Sequence, residues 1–261
     1  MIYVVRYFFI VLYTIFWGVV GCLLALIDGE YVVWVGRQWI GWIFRTCGLE
    51  IDVEGLEHLD PDQPVVLMAN HQSALDIGAI VLSFPHSWRF VAKRELQWVP
   101  FFGWVLALSD QILIDRGNRA KSVASLHRAA ERVRNGVNVI IFPEGTRSED
   151  GRLKAFKSGG FHLALEAGVP IVPATVSGSM RLTPRHSLRV ESGRMKVVFG
   201  EPIPTADLTV DDRQELKQRV REAIEAGFDP DYQGRPVAAA DGSGGPAHTN
   251  GPSSAGRQPG A

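Results

Sequence analysis

A histidine and an aspartate stand five residues apart in the segment 70–76 (Asn-His-Gln-Ser-Ala-Leu-Asp), between an apolar run and a helix-like apolar stretch. Histidine accepts and returns protons near neutral pH, so His71 is a candidate general base. Asp76 is close enough in sequence to fold back and hold the imidazole in one orientation. An ordinary turn histidine followed by a helix-capping aspartate fits the same residues, so this segment alone leaves both interpretations open.

A second polar turn, Phe-Pro-Glu-Gly-Thr-Arg-Ser at 142–148, contains groups that proteins use to hold phosphate. An arginine with hydroxyls and backbone N–H groups near a glycine can surround phosphate oxygens. The segment also fits an ordinary turn with a surface ion pair between Glu144 and Arg147. Two further cations each follow a strand candidate and are expected near the same sheet edge. The candidate phosphate-binding residues are Lys93, Arg116, Glu144, Gly145, Thr146 and Arg147.

An apolar and aromatic loop, 99–104, lies between these cations. It could line an apolar groove beside the site, or it could fill the core. A proline inside the strand-like run 171–176 indicates an edge, a bulge or a strand end, and a strand end lining the site would satisfy it. The groove candidates are Val99, Pro100, Phe101, Gly103 and Pro173.

Several function classes are excluded by composition and by motifs that the sequence lacks. A net charge of −1 over 261 residues argues against a general polyanion or nucleic-acid binder. The sequence has no Gly-x-Ser-x-Gly elbow, no Walker A loop and no Gly-x-Gly-x-x-Gly after a strand. Its seven histidines and two cysteines show no metal-ligand spacing, so no metal site is expected.

The elements that must position these turns follow a strand–helix alternation from residue 51 onward. Near-continuous apolar strands separated by helices predict an α/β fold with a largely parallel central sheet flanked by helices. Because the ends of parallel strands meet at one edge, both polar turns are expected there. The predicted strands are 65–69, 89–92, 112–114, 137–142, 171–176 and 195–199, and the predicted helices are 75–84, 119–134, 158–167 and 210–226.

The N-terminal region is predicted to be a membrane anchor. Residues 2–27 are almost wholly apolar and long enough for a membrane helix. The next stretch, 31–49, mixes tryptophans with arginines and predicts a helix at the membrane interface packed against the first; a second full span is the alternative. We therefore expect membrane-anchoring helices in 1–50, an α/β domain in 51–230 and a disordered Gly/Pro/Ser-rich tail in 231–261.

Taken together, these residues resemble the glycerolipid acyltransferase family, which includes the 1-acyl-sn-glycerol-3-phosphate acyltransferases. The family's Asn-His-x4-Asp motif matches 70–76, and its Phe-Pro-Glu-Gly-Thr-Arg-Ser motif is complete at 142–148. An apolar-Val-Pro strand end matches 171–174, so the resemblance extends over about 65–176. The remaining motif is matched by Lys93, Pro100, Gly103 and 114–116.

The resemblance implies transfer of a fatty acyl group from acyl-CoA or acyl-carrier protein to the sn-2 hydroxyl of lysophosphatidic acid. The product would be phosphatidic acid for phospholipid biosynthesis, with no cofactor. His71 would be the base, Asp76 its orienting partner, and Glu144 would orient the phosphate-binding loop. The groove candidates would hold the acyl chain. The domain would contact membrane lipids on the cytoplasmic face of a bacterial plasma membrane.

Alternatives remain open at this point. The acceptor could be another lysolipid or an acylated amino acid, or the chain could hydrolyse the thioester. A membrane-anchored lipid-binding protein without catalysis could share the fold. A binder needs no base, so intact His71 and Asp76 weigh against that last possibility.

Overall fold

The computed structural model describes residues 1–109, 111–115, 117, 119–184, 187 and 189–233, with only the backbone described for 119–122. The predicted disordered tail lies outside the described residues from 234 onward. Arg116 lies outside them as well.

A seven-stranded mixed sheet forms the centre of the described chain. Its strand order is β1-β7-β6-β2-β5-β3-β4. Strands β2 to β6 are mutually parallel, β7 is antiparallel to β6, and β1 is parallel to β7. The strands are β1 (Leu49–Glu54), β2 (Val66–Ala69), β3 (Trp88–Lys93), β4 (Ile112–Ile114), β5 (Asn138–Ile141), β6 (Ile171–Ser177) and β7 (Gly193–Phe199). The predicted α/β class with a largely parallel sheet is confirmed.

Helices cover both faces of the sheet. They are α1 (Ile2–Ala25), α2 (Tyr31–Cys47), α3 (Leu75–Ser83), α4 (Phe102–Leu108), α5 (Arg119–Arg134), α6 (Gly159–Ala167), α7 (Ser179–Leu182) and α8 (Arg213–Gly227). Short 3₁₀ turns occupy Leu56–His58 and Arg94–Trp98.

Two hydrophobic cores lie on opposite faces of the sheet, and β2 contributes to both. Leu67 and Ala69 join the core under α2 and α3, whereas Val66 and Met68 join the core under α5, α6 and α8. Successive strand side chains point to opposite faces, so a strand with both faces buried is apolar throughout. This explains why continuous apolar runs in the sequence predicted β2, β5 and β6 correctly.

Strand β1 and helix α4 do not appear among the sequence predictions. Strand β1 alternates apolar residues with Glu50, Asp52 and Glu54, the two-residue period of a half-buried strand, which the sequence predictions did not use. Its carboxylates pair across to Arg194 and Lys196 of β7, so the charge pattern is part of the strand pairing. The predicted helix 31–49 ends earlier, at Cys47, because Gly48 adopts a left-handed conformation with φ 65°.

Helices α1 and α2 pack against each other through aromatic rings, as the sequence predicts. The Trp17 ring meets Trp34 edge-on at 5.7 Å, and Phe16 stacks on Trp42 at 5.8 Å between centroids. In the described part of the chain, α1 is the one helix long and apolar enough to cross a membrane by length and composition. Its apolar side chains are largely exposed, which is consistent with association with a membrane.

Candidate active site

The two polar turns lie side by side at one edge of the sheet, because they follow the neighbouring parallel strands β2 and β5. The backbone N–H of His71 donates to Glu144 Oε1 at 2.8 Å, and the backbone N–H of Ser148 donates to the His71 carbonyl at 2.8 Å. The prediction that both turns share an edge is confirmed. These two bonds make the turns one rigid unit.

The Asp76 carboxylate holds the His71 side chain. His71 Nδ1 lies 3.0 Å from Asp76 Oδ2, and the Asp76 side chain is fully buried in the first turn of α3. The same oxygen accepts the backbone N–H groups of Gln72 at 2.6 Å and Ser73 at 2.7 Å. A carboxylate oxygen accepts hydrogen bonds, so this contact assigns the N–H of the neutral imidazole to Nδ1. The Nε2 lone pair is then the one available for proton transfer.

An aromatic ring packs on the face of the imidazole. The Phe142 and His71 ring centroids are 4.2 Å apart with planes 23° apart, and Phe90 stacks behind Phe142 at 6.3 Å. The sequence predictions place Phe142 at a strand end and give it no part in the site. The available signal was its position, an aromatic residue immediately before the Pro-Glu-Gly turn.

Glu144 is buried and does not line the cavity described below. Its Oε1 accepts the His71 N–H, and its Oε2 accepts the Lys154 N–H at 2.9 Å. Burial raises the pKa of Glu144 even though these two hydrogen bonds oppose the shift. The geometry corrects its place among the phosphate-binding candidates, because both oxygens already hold backbone groups. Glu144 instead holds the loop through these two hydrogen bonds, which fits the predicted role of orienting it.

Gly145, Thr146 and Arg147 line one cavity together with His71 and Lys93. The Gly145 N–H donates to the Phe142 carbonyl at 3.0 Å, so the shape of the turn already uses this donor. With φ 72°, Gly145 has a conformation that other residues rarely adopt. The remaining candidates for an anion are the Thr146 hydroxyl and the Arg147 and Lys93 cations. Arg116 lies outside the described residues.

The cavity has a volume of about 360 Å³ and runs from His71 into a mainly apolar space between the N-terminal helices and the sheet. Strand β3 and helices α1, α2, α3 and α4 form its walls. The walls include Trp17, Gly18, Val32, Gly36, Trp39, Ile77, Val81, Trp88, Phe90, Leu96, Phe102, Val105 and Leu106. Residues of α1 and α2 were predicted only as a membrane anchor, so their part in the site is new.

The groove candidates from the sequence do not line this cavity. In the segment 96–106, the residues that line it are Leu96, Phe102, Val105 and Leu106, and not Val99, Pro100, Phe101 and Gly103. The reason is that 102–108 forms helix α4, whose cavity face repeats at three- and four-residue intervals.

Three of those candidates have packing roles. A Cβ on Gly103 would lie 2.3 Å from the Leu96 carbonyl oxygen, so Gly103 lets α4 fold tightly against the 3₁₀ turn. Phe101 packs against Gly18 of α1. Pro173 is buried within β6 opposite Met68, one residue before the pairing with β7 begins.

Asn70 ties the site to the sheet. Its side-chain amide donates to the Val176 carbonyl at 2.8 Å, and its Oδ1 accepts the Val176 N–H at 2.7 Å. The fully buried side chain thus continues the β2–β6 pairing beyond the end of β2. Asn70 shapes the turn that presents His71.

The fold and site define an α/β protein with a carboxylate-oriented histidine beside cationic loops at the mouth of an apolar cavity. The family model described as "Acyltransferase" matches residues 50–177. A 1-acyl-sn-glycerol-3-phosphate acyltransferase of Saccharomyces cerevisiae is 35% identical over 234 residues, covering 82% of this chain and 74% of that protein. The alpha form from Homo sapiens is 37% identical over 178 residues, covering 68% and 63%.

The crystal structure of the 1-acyl-sn-glycerophosphate (LPA) acyltransferase PlsC from Thermotoga maritima has the same fold. Its TM-score is 0.74 at 28% identity, over 87% of this chain and 92% of that chain. The match to the human protein spans less than two thirds of that protein's length. The chain belongs to the glycerolipid acyltransferase family that includes these proteins.

Proposed function

We propose that the protein is an O-acyltransferase that moves a fatty acyl group from a thioester to the sn-2 hydroxyl of 1-acyl-sn-glycerol-3-phosphate, forming phosphatidic acid. The observation that carries the proposal is the His71–Asp76 pair at the mouth of an apolar cavity, beside the Arg147 loop. The cavity suits an acyl chain and the loop suits a phosphate. The printed names of the relatives support the same acceptor.

His71 acts as the general base. Its Nε2 takes the proton of the acceptor hydroxyl while the hydroxyl oxygen attacks the thioester carbonyl carbon. The tetrahedral intermediate then collapses, the carbon–sulfur bond breaks, and the imidazolium returns the proton to the thiolate. Asp76 keeps Nδ1 protonated and stabilises the imidazolium. The acceptor oxygen is the nucleophile, so no acyl-enzyme forms and no cofactor is needed.

Arg147 and Thr146 bind the acceptor phosphate, with Lys93 and Arg116 adding positive charge. Glu144 and Gly145 hold this loop in shape and do not contact the phosphate. The acyl chain lies in the cavity between β3 and the N-terminal helices. A soluble acyl-CoA or acyl-carrier protein delivers it, which supports the proposed position of the domain on the cytoplasmic face of the membrane.

The deciding experiment gives the purified full chain lysophosphatidic acid with acyl-CoA or acyl-carrier-protein donors and identifies the products by mass spectrometry. Phosphatidic acid is expected, with free thiol released only when the acceptor is present. His71→Ala should lower turnover by roughly 10²–10⁴-fold, the usual contribution of a general base. Thiol release without acceptor would instead indicate hydrolysis, and product from another lysolipid alone would change the acceptor. Near-normal turnover by His71→Ala would overturn the mechanism.

A further inference from the structure

The segment 94–108, here called the α4 segment, exposes a concentration of large apolar side chains. It comprises the 3₁₀ turn Arg94–Trp98, a short loop and helix α4. Surface apolar residues scattered singly are ordinary, but a contiguous group indicates an interaction site. The exposed side chains are Leu96 (37%), Trp98 (76%), Val99 (43%), Trp104 (49%) and Leu108 (45%).

Helix α4 itself has no polar side chain, with the sequence Phe-Gly-Trp-Val-Leu-Ala-Leu. One face, with Phe102, Val105 and Leu106, lines the cavity. Trp104 and Leu108, four residues apart, form an exposed face. A helix that is apolar all round belongs in a core or in a membrane. The cavity-lining face of α4 lies inside the protein, and the exposed face needs another apolar phase.

The α4 segment continues the exposed apolar surface of α1. A Cβ on Gly18 would lie 2.5 Å from Phe101 Cβ, and one on Gly21 would lie 2.9 Å from Val105, so the two elements touch along these glycines. The Trp104 ring lies 5.0 Å from the Phe101 ring and therefore beside α1. On α1, neighbouring Val19 is 45% exposed. The exposed apolar side chains of α1 and of the α4 segment therefore lie on two elements that touch each other.

We propose that the α4 segment inserts into the lipid bilayer beside α1, as a membrane-contacting element distinct from the N-terminal helices. Tryptophans such as Trp98 and Trp104 favour the membrane interface. The adjoining Lys93 and Arg94 are opposed by Glu95, which lies 3.4 Å from Lys93. Charge therefore adds little, and insertion of apolar side chains supplies the binding. The dependence on anionic lipid and on salt should be weak.

A spin-label experiment on the full chain tests the insertion without relying on the proposed function. Cys22→Ser and Cys47→Ala remove the two native thiols, and Trp98→Cys or Val210→Cys introduces one label site. Val210 is 55% exposed just before α8, away from the α4 segment. The protein is reconstituted into phosphatidylcholine vesicles with and without phosphatidylglycerol. Collisions with oxygen, which concentrates in lipid, are compared with collisions with a water-soluble nickel chelate.

The label at 98 should favour oxygen in both vesicle types, while the label at 210 should favour nickel. Nickel-dominated collisions at both positions would place the α4 segment in water and overturn the proposal. Shielding of position 98 from both reagents would also overturn it, because a protein surface would then cover the segment.

A second measurement covers the case in which the thiol-free variant fails to fold. In otherwise native protein, acyl-chain-brominated lipid should quench tryptophan emission of the wild type more than that of the Trp98→Phe/Trp104→Phe variant. Equal fractional quenching would contradict insertion.

A third measurement rests on the proposed function. Trp98→Ser/Trp104→Ser should raise the apparent KM for a vesicle-borne acceptor about tenfold, the equivalent of losing about 1.4 kcal/mol of apolar burial. The control variant, Leu56→Ser/Val210→Ser, should leave it unchanged. An equal rise in the control would contradict the proposal, whereas loss of all transfer in the wild type would contradict the proposed function alone.

Discussion

Three contacts fix the His71 side chain and its turn: the Asp76 carboxylate on Nδ1, the Phe142 ring on the imidazole face, and the Glu144 carboxylate on the backbone N–H. The first sets which nitrogen accepts the proton, and the third locks the turn to the neighbouring strand. The second restricts rotation of the imidazole, because the Phe142 ring packs on its face with 4.2 Å between the centroids. The proposed base is therefore held in position before substrate arrives.

Replacing Phe142 tests the value of that stacking. Phe142→Leu should lower kcat about tenfold with little change in KM, since aromatic pairs contribute about 0.5–1.5 kcal/mol beyond area burial. Phe142→Tyr should keep most of the rate because it keeps the ring. Phe156→Leu is the control, since Phe156 is a stacked aromatic of the opposite core. Steady-state kinetics measure kcat and KM for each variant. A kcat of Phe142→Leu equal to that of the Phe156→Leu control would argue against a positioning role for Phe142.

Arg147 should act on binding and not on proton transfer. Its side chain lines the cavity beside Thr146, where the acceptor phosphate is proposed to lie. Losing a charge-assisted hydrogen bond costs about 1.5–3 kcal/mol, so Arg147→Ala should raise the KM for lysophosphatidic acid roughly 10–150-fold. Arg219→Ala, at an exposed position of α8, should leave KM unchanged. An unaltered KM in Arg147→Ala would show that the phosphate binds elsewhere.

The elements that carry the site differ in how readily their sequences predict them. Strands β2, β5 and β6 are buried on both faces, so their continuous apolar runs are enough to predict them from the sequence. Helix α4 is also apolar, but seven residues are too few for a helical period to be distinguished from a loop. Its cavity-facing residues therefore differ by one to three positions from the predicted groove residues.

The 142–148 turn depends on a backbone conformation that Gly145 supplies. Gly145→Ala should cost about 1–2 kcal/mol, because its φ of 72° lies in the left-handed region. A Cβ there would also lie 2.9 Å from Lys157 Nζ, which is flexible enough to move. Gly168→Ala is the matched control: its φ is 68° and nothing lies within 4 Å of the new Cβ.

Thermal unfolding should show a similar loss of stability in both glycine variants. Acyl transfer should fall only in Gly145→Ala, since Gly168 ends α6 away from the cavity. Equal transfer rates in the two variants would mean that the loop tolerates distortion.

At the level of the whole molecule, the N-terminal helices complete the site. Several polar contacts hold them to the α/β domain. Among these, Arg6 bonds Ser192, Arg89 bonds Glu30, and Arg37 donates to the Phe84 carbonyl at 2.8 Å. Their inner faces supply one wall of the cavity. Sequence reasoning could predict α1 and α2 as membrane-anchoring helices from composition. It could not pair Gly36 with Trp88, because that contact depends on how the helices dock.

Gly36 therefore offers a test of whether the cavity holds the acyl chain. A Cβ at Gly36 would lie 3.5 Å from the Trp88 ring, an ordinary contact, so Gly36→Val should fold while filling part of the cavity. Each methylene of the acyl chain that is excluded from the cavity costs about 0.8 kcal/mol of apolar burial, or about fourfold in kcat/KM. The variant should shift donor preference toward shorter chains by about that factor per excluded methylene.

Competition between acyl-CoA donors of graded length measures the shift directly. Gly41→Val, five residues further along α2 and outside the cavity lining, is the matched control and should keep the original preference. The same preference in Gly36→Val and in the control would mean that the acyl chain lies elsewhere. A shift in Gly36→Val alone would assign the selection of chain length to the interface between the membrane helices and the sheet. The anchor would then be part of the active site itself.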